Sequence, residues 1–360
     1  MAGKPGAARM TRLHDILAAR IAAHGPITLA DYMAEALLHP IHGYYTTRDP
    51  LGAAGDFITA PEISQMFGEV IGLCLAQSWL DQGRPKGVLA ELGPGRGTLM
   101  ADILRATARV PGFHAALDLH LVEASPVLRA AQAARLPVKQ VHDRADTLPD
   151  APLFLVANEF FDALPIRQFQ RDGTGWRERM IGLTDDAALT FGLSAAAPLA
   201  MLDHRLADTK DGDLVEHCPA LPGIVSEIGQ RIAAHGGTAL IIDYGDWGSQ
   251  GDTLQALRGH APVDPLIDPG SADLTAHVDF EAVARATPSR FTRLTPQGVF
   301  LERLGITQRA QTLASKMTGA ALESHIAAHR RLTHPDEMGD LFKVIALYPD
   351  GQTPPAGLEP

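Results

Sequence analysis

Apolar positions near the start of the chain recur at helical spacing, with Leu13, Ile16, Leu17 and Ile21 falling on one face, which predicts an amphipathic helix. The helical pattern runs on to Leu80 and includes VIGLCLAQSWL at 70–80. That segment is apolar all round and only about half the roughly 20 residues a membrane span needs, so it reads as a buried helix. A Gly-, Pro- and Asp-rich stretch, HPIHGYYTTRDPLGAAGDFITAPE at 39–62, interrupts it. A loop of that length inside a compact domain is usually functional or mobile. From Gly87 strands and helices alternate: VLAEL, TLMADILRATARV, LDLHLVE, SPVLRAAQAARL, VKQVH and APLFLVANEF. This order predicts a parallel sheet with crossover helices. Ser125 is placed as an N-cap with Pro126 in the first turn, and Pro137 stops the same helix. Between 166 and 193 the period becomes two, in IRQFQ, WRERMIGL and ALTFGL, predicting an antiparallel insertion. A helix over GIVSEIGQRIAAHG, a strand TALIIDYG and a late strand LFKVIALYP follow, and the Pro- and Gly-rich tail at 351–360 is expected to fray.

Composition narrows the function. The 360 residues are 46% apolar and 20% charged, with a formal charge of −11, which suits a globular protein with a cationic ligand and argues against a nucleic-acid surface. Cys74 and Cys218 lie far apart, so neither a disulfide framework nor a cysteine metal site is indicated and a reducing compartment is expected. The opening MAGKPGAARMTR is basic without an apolar core, which leaves the cytoplasm as the default. Fifteen histidines show no metal-ligand spacing, so no metal is expected. The chain also lacks a G-x-S-x-G elbow and a phosphate-binding P-loop.

The chemistry concentrates at strand ends. GVLAELGPGRGTLMADILRA (87–106) carries Gly93, Gly95 and Gly97 between a strand and a helix, and its spacing is G-x-G-x-G with Thr98 in the sixth place. A dinucleotide loop would read G-x-G-x-x-G and would not place a carboxylate, Glu91, two residues ahead of the first glycine, facing a pyrophosphate. S-adenosylmethionine carries an ammonium, a sulfonium and no phosphate, and the loop favours it. Glu123 ends the second strand, where an acidic side chain accepts both hydroxyls of a ribose. His142 and Asp143 end the third, within reach of an adenine. Arg96 either meets the cofactor's carboxylate or braces the loop.

Past the fourth strand, LVANEFFDALPIRQF places Asn158, Glu159 and Asp162 in the crevice where substrates of such sheets sit. Two carboxylates can orient a guanidinium through charge-assisted hydrogen bonds while a nitrogen attacks a methyl group. The alternative is that Asn158 and Asp162 cap the next turn and Glu159 is solvated. His277 and Asp279, two residues apart, either face the crevice or cap a helix starting near Phe280.

GDFITAPEISQMFGEVIG (55–72), ELGPGRGTL (91–99), NEFFDALPIRQF (158–169), IIDYG (241–245) and DLTAHVDF (273–280) resemble the MidA family in order over about four fifths of the chain. The resemblance implies a mostly parallel, Rossmann-like α/β class I methyltransferase fold with a helical N-terminal part and an antiparallel β insertion. The expected organisation is a helical region 1–84 with a site-covering loop at 39–62, a cofactor domain 85–350 with inserted regions about 166–235 and 250–335, and the tail. It further implies S-adenosyl-L-methionine at Gly93, Gly95, Gly97 and Glu123, to which position along the strands and turns adds Glu91, Thr98, Asp143 and Asn158, and a site closed by the loop at 55–62 and the turn at 277–279, with Asp56, Thr59, Glu62, His277 and Asp279 as the side chains expected to face the acceptor. The family's mitochondrial members are arginine methyltransferases needed to assemble respiratory complex I, so a protein acceptor, a complex I subunit or its equivalent, is expected. GPGRG is similar to the loop of type II protein arginine methyltransferases, but their double-glutamate hairpin is missing, and Glu159 and Asp162 are assigned as catalytic on position. A small-molecule amine methyltransferase and a non-catalytic assembly chaperone are the alternatives. No membrane insertion is expected, and the inserted region offers a surface for a homodimer.

Overall fold

The computed structural model describes residues 12–47, 59–248 and 250–360. The chain divides into two compact units, one comprising Met1–Pro50, Pro165–Cys218 and Gln250–Ala276, the other Leu51–Leu164, Pro219–Ser249 and His277–Pro360. The boundary expected at residue 84 therefore moves, because the buried helix α1 (Gln65–Asp81) belongs to the second, larger unit. Twelve of its seventeen residues are buried, which explains why its sequence is apolar on every side. Likewise, only 250–276 of the stretch expected at 250–335 departs from the larger unit.

In the larger unit, β1 (Gly87–Leu92) leads into α2 (Thr98–Thr107), β2 (Leu117–Val122) into α3 (Pro126–Arg135), and β3 (Gln140–His142) precedes β4 (Leu153–Asn158). α4 (Leu221–His235) and β5 (Gly237–Asp246) follow, then α5 (Phe280–Ala286) and β6 (Phe342–Tyr348). The strand order is β3-β2-β1-β4-β5-β6 within a nine-stranded sheet. β1 to β5 run parallel and β6 pairs antiparallel with β5, Ile345 opposite Ile241. Order reverses between β1 and β4, and the crevice beyond the carboxyl ends of strands flanking such a reversal is where ligands of open α/β sheets bind. β4 is buried at every position, as a central strand covered on both faces should be.

The helix signals behave as expected. The Ser125 hydroxyl accepts from the Leu128 amide with Pro126 in the first turn. The core of this unit runs from Ala60 through Trp79, Phe113 and Phe154 to Phe300, Leu332 and Leu358. Leu358 corrects the expectation of a frayed tail: the Arg293 amide donates to the Glu359 carbonyl, and the Cys74 thiol to that of Ala356. An apolar side chain and backbone pairing outweigh the Pro and Gly content that suggested disorder.

The smaller unit contains the antiparallel insertion. Arg167–Asp172 pairs with Gly175–Leu183, which pairs with Leu189–Leu193, while Leu214–His217 and Ile27–Thr28 extend the sheet. Phe169, Trp176, Leu202 and Val215 form its own small core.

Candidate active site

The turn after β1 is built for close approach to its backbone. Gly93, Gly95 and Gly97 have φ of 60°, 53° and 76°, the left-handed region that costs other residues strain. A Cβ on Gly93 would lie 2.9 Å from the Phe160 ring, and one on Gly97 2.7 Å from Leu136. The Gln132 side chain holds the turn from α3, donating to the Gly95 carbonyl at 2.7 Å and to Glu123 Oε2 at 3.3 Å. Gly97 caps α2, so the first free amides of that helix sit beside the turn.

Glu91 and Glu123 flank it from neighbouring strands. Burial, opposed by the Met100 amide and reinforced by the Glu123 charge, pushes the Glu91 carboxyl up to about 8. Its Oε2 is buried and takes no hydrogen bond. Glu123 is also raised, by burial, although the Ser125 amide donates to its Oε1 at 2.7 Å. Buried acceptors without a donor are costly and ask for a ligand that supplies one. An ammonium beside Glu91, ribose hydroxyls beside Glu123 and bare backbone along the glycines fit this arrangement, so these residues would hold S-adenosyl-L-methionine.

Other expected cofactor residues are engaged differently. The Thr98 hydroxyl donates to Glu62 Oε1 at 2.6 Å and accepts from Arg135 at 2.9 Å. Asp143 is exposed and pairs with Arg129, which also donates to the Glu123 carbonyl. Asn158 is buried, with Nδ2 donating to Glu159 Oε1 at 3.0 Å and Oδ1 left without a partner.

The turn after β4 uses the opposite device. Glu159 is not a glycine, yet its φ is 50°. The strained turn is held from β5: Asp243 Oδ2 accepts from the amides of Phe160, Phe161 and Asp162 at 3.2, 3.0 and 3.3 Å, and Oδ1 accepts from Tyr244 at 3.0 Å. Burial and the Asp162 and Glu159 charges push Asp243 well above the usual carboxylate range, against the amides of Asp162 and Tyr244. Glu159 Oε1 accepts from Ala60 at 3.0 Å, and burial lifts this carboxyl to about 7, with the Asp162 charge adding to it. Asp162 is 6% exposed and burial lifts it to about 6; its Oδ2 accepts from the Tyr244 hydroxyl at 2.6 Å. Glu159 is therefore not the solvated side chain of the alternative reading; the Asp162 carboxyl is steadied by the Tyr244 hydroxyl and by the amides of Ala163 and Asp162, while Asp243 gathers the amides of the turn from Phe160 to Asp162. IIDYG signalled this position, an acid inside an apolar strand, but sequence spacing could not show which backbone amides it would collect.

Of the closing residues, Thr59 caps the short helix Ala60–Ile63, its carbonyl accepting from Glu62 at 2.9 Å, and that segment meets both Glu159 and Thr98. Asp56 lies outside the described residues. Asp279 is the N-cap of α5, its Oδ1 accepting from Glu281 at 3.0 Å and Ala282 at 3.2 Å, which decides between the two readings of that residue. The His277 ring stands edge-on to Tyr244 at 5.4 Å, and burial lowers its pKa. Among the described residues, no cluster of His, Cys, Asp or Glu is placed to hold a metal, and no helix is long and apolar enough to cross a membrane.

Known proteins share this arrangement's frame. The family profile Methyltransf_28, described as S-adenosyl-L-methionine-dependent methyltransferase, matches residues 70–298. The chain is similar to the mitochondrial protein arginine methyltransferase NDUFAF7 of Xenopus laevis, 38% identical over 92% of this chain and 83% of that one. It is likewise similar to NDUFAF7 of Homo sapiens, 37% identical over 92% and 82%. A crystal structure of a COG1565 superfamily member from Burkholderia thailandensis, bound to S-adenosyl-homocysteine, superposes with a TM-score of 0.81 at 30% identity, covering 96% of this chain and 93% of that one. Strand order, glycine turn and flanking acids thus agree with the sequence relationship, and the chain belongs to this family of S-adenosyl-L-methionine-dependent methyltransferases.

Proposed function

We propose that the protein is an arginine N-methyltransferase acting on another protein, with the acceptor guanidinium held by Glu159 and Asp162. The observation that carries this reading is the pair of carboxyls lifted by burial to about 7 and about 6 on one short turn. Two acids that resist ionising together are stabilised by a cation between them. The cofactor, when bound, supplies a methyl group on a sulfonium, and transfer needs little more than alignment of the nucleophile with it. Glu159 Oε1 is occupied by Ala60 and Asn158, which leaves Oε2 for an N–H of the guanidinium. A carboxyl near 7 is also matched to take up the proton that the methylated nitrogen releases. The names of the eukaryotic relatives support the arginine assignment. On the same reading the acceptor is a respiratory complex I subunit or its equivalent, and the compartment is the cytoplasm.

The test uses lysate from cells lacking this gene, purified protein and S-adenosylmethionine labelled on its methyl, followed by hydrolysis and amino-acid analysis. Label in methylarginine on one dominant band is the expected result. Label confined to small molecules would replace the reading with amine methylation, and no label despite cofactor binding would leave an assembly chaperone.

A further inference from the structure

The Tyr244 hydroxyl makes a short contact to an acid of the β4 turn, and the ring that carries it is fixed on several sides. The ring stands edge-on to Phe342 at 5.3 Å and to His277 at 5.4 Å. Its amide is tied to Asp243 Oδ1 at 3.0 Å, and its backbone pairs with Phe342 of β6. So held, the hydroxyl donates to Asp162 Oδ2 at 2.6 Å. The second oxygen of Asp162, Oδ1, is buried and has no donor in hydrogen-bonding geometry. One oxygen is thus spoken for and its twin is left for a ligand, an asymmetry a solvated aspartate would lack.

We infer that Tyr244 is a positioning residue for methyl transfer, fixing the plane of the Asp162 carboxylate so that Oδ1 meets an N–H of the acceptor. This rests on the acceptor reading of the Glu159 and Asp162 turn and adds the group that orients it. The hydroxyl also has an electrostatic consequence. Asp162 lies in a buried neighbourhood with two further carboxyls, Glu159 and Asp243, and on Tyr244's other side stands His277, which feels the charges of Lys343 and Asp246. The phenol is the strongest side-chain donor opposing burial at Asp162. Without it Asp162 ionises only at higher pH, and the carboxylate is free to rotate.

Tyr244→Phe keeps the ring contacts and removes only the hydroxyl. In the labelled-lysate assay its methylarginine rate should fall about tenfold or more, with the pH of half-maximal rate moved upward by about one unit, while S-adenosylhomocysteine affinity measured by calorimetry stays within about twofold. Incorporating 3-fluorotyrosine, a more acidic phenol and a stronger donor, should move the half-maximal pH downward while retaining the rate. An unchanged rate and pH profile in Tyr244→Phe overturns the inference. So does a parallel collapse of rate, cofactor affinity and melting temperature, if 3-fluorotyrosine also leaves the profile where it was, since that pattern belongs to packing. Glu159→Gln and Asp162→Asn separate the two levels: if neither slows transfer, the acceptor reading itself fails, whereas if both do and Tyr244→Phe does not, only the role of Tyr244 falls.

Discussion

The turns after β1 and β4 lie on adjacent parallel strands and solve the same problem in opposite ways. After β1 the chain reaches positive φ with glycines, so the backbone itself is bared and the side chains that matter stand back from it, Glu91 within β1 and Glu123 just past the end of β2. After β4 a glutamate takes the positive φ, and the cost of order 1 to 3 kcal/mol is met by the amides that Asp243 gathers. One turn makes room for a large ligand, and the other aims side chains at a small reacting group.

The contrast predicts effects of different kind and size. Gly93→Val should remove S-adenosylhomocysteine binding altogether, a loss of at least about 10²-fold by calorimetry, because the new side chain meets the Phe160 ring at a φ that valine does not tolerate. Retained affinity would mean the glycines serve the fold alone. Glu159→Gln should leave that affinity intact and slow turnover by a factor on the order of 10². If affinity fell instead, the two turns would not divide the labour as described. Asp243→Asn should destabilise the protein by about 1 to 3 kcal/mol, read as a lower melting temperature, since asparagine keeps one accepting oxygen where both oxygens of Asp243 accept, one from three turn amides and one from Tyr244. Thr98→Val is the smallest change expected, under about threefold in cofactor affinity, because the hydroxyl is already committed to Glu62 and Arg135.

Acid–base behaviour sharpens the comparison further. Glu159 and Asp162 titrate near 7 and 6, above their ordinary 4.5 and 3.8, so in the interval between those values the folded protein binds more protons than the unfolded chain. Stability of the ligand-free protein should fall as pH rises from about 4 to about 7. Turnover, which needs the ionised pair, should rise through the upper part of the same window. Thermal melts and initial rates over that range check both, and parallel curves would contradict the assignment.

The same contrast explains what the sequence revealed. A glycine turn between an apolar strand and an amphipathic helix is a local pattern, so Gly93, Gly95, Gly97 and the strands around them were readable in order. Methyltransferase membership followed from such local patterns. The support of the β4 turn is not local: Asp243 and Tyr244 are about eighty residues beyond it and reach it only through the pairing of β4 with β5. Asp143 and Thr98 were expected at the cofactor for their places at strand and helix ends, but long arginines, Arg129 and Arg135, reach them from α3. The tail misled for the related reason that composition describes the segment, while Leu358 is placed by the core it enters.

The antiparallel pairing of β6 with β5 has a consequence for synthesis. β6 is made roughly a hundred residues after β5, which at about 5 to 20 residues per second is a wait of roughly 5 to 20 seconds on the ribosome. Until then the outer edge of β5, from Ala239 to Tyr244, lacks its partner, and an apolar strand with open amides is a template for wrong pairing. The nascent protein thus carries an open apolar edge at the strand that later orders its acidic turn, and a chaperone acting in that interval would protect activity and solubility together.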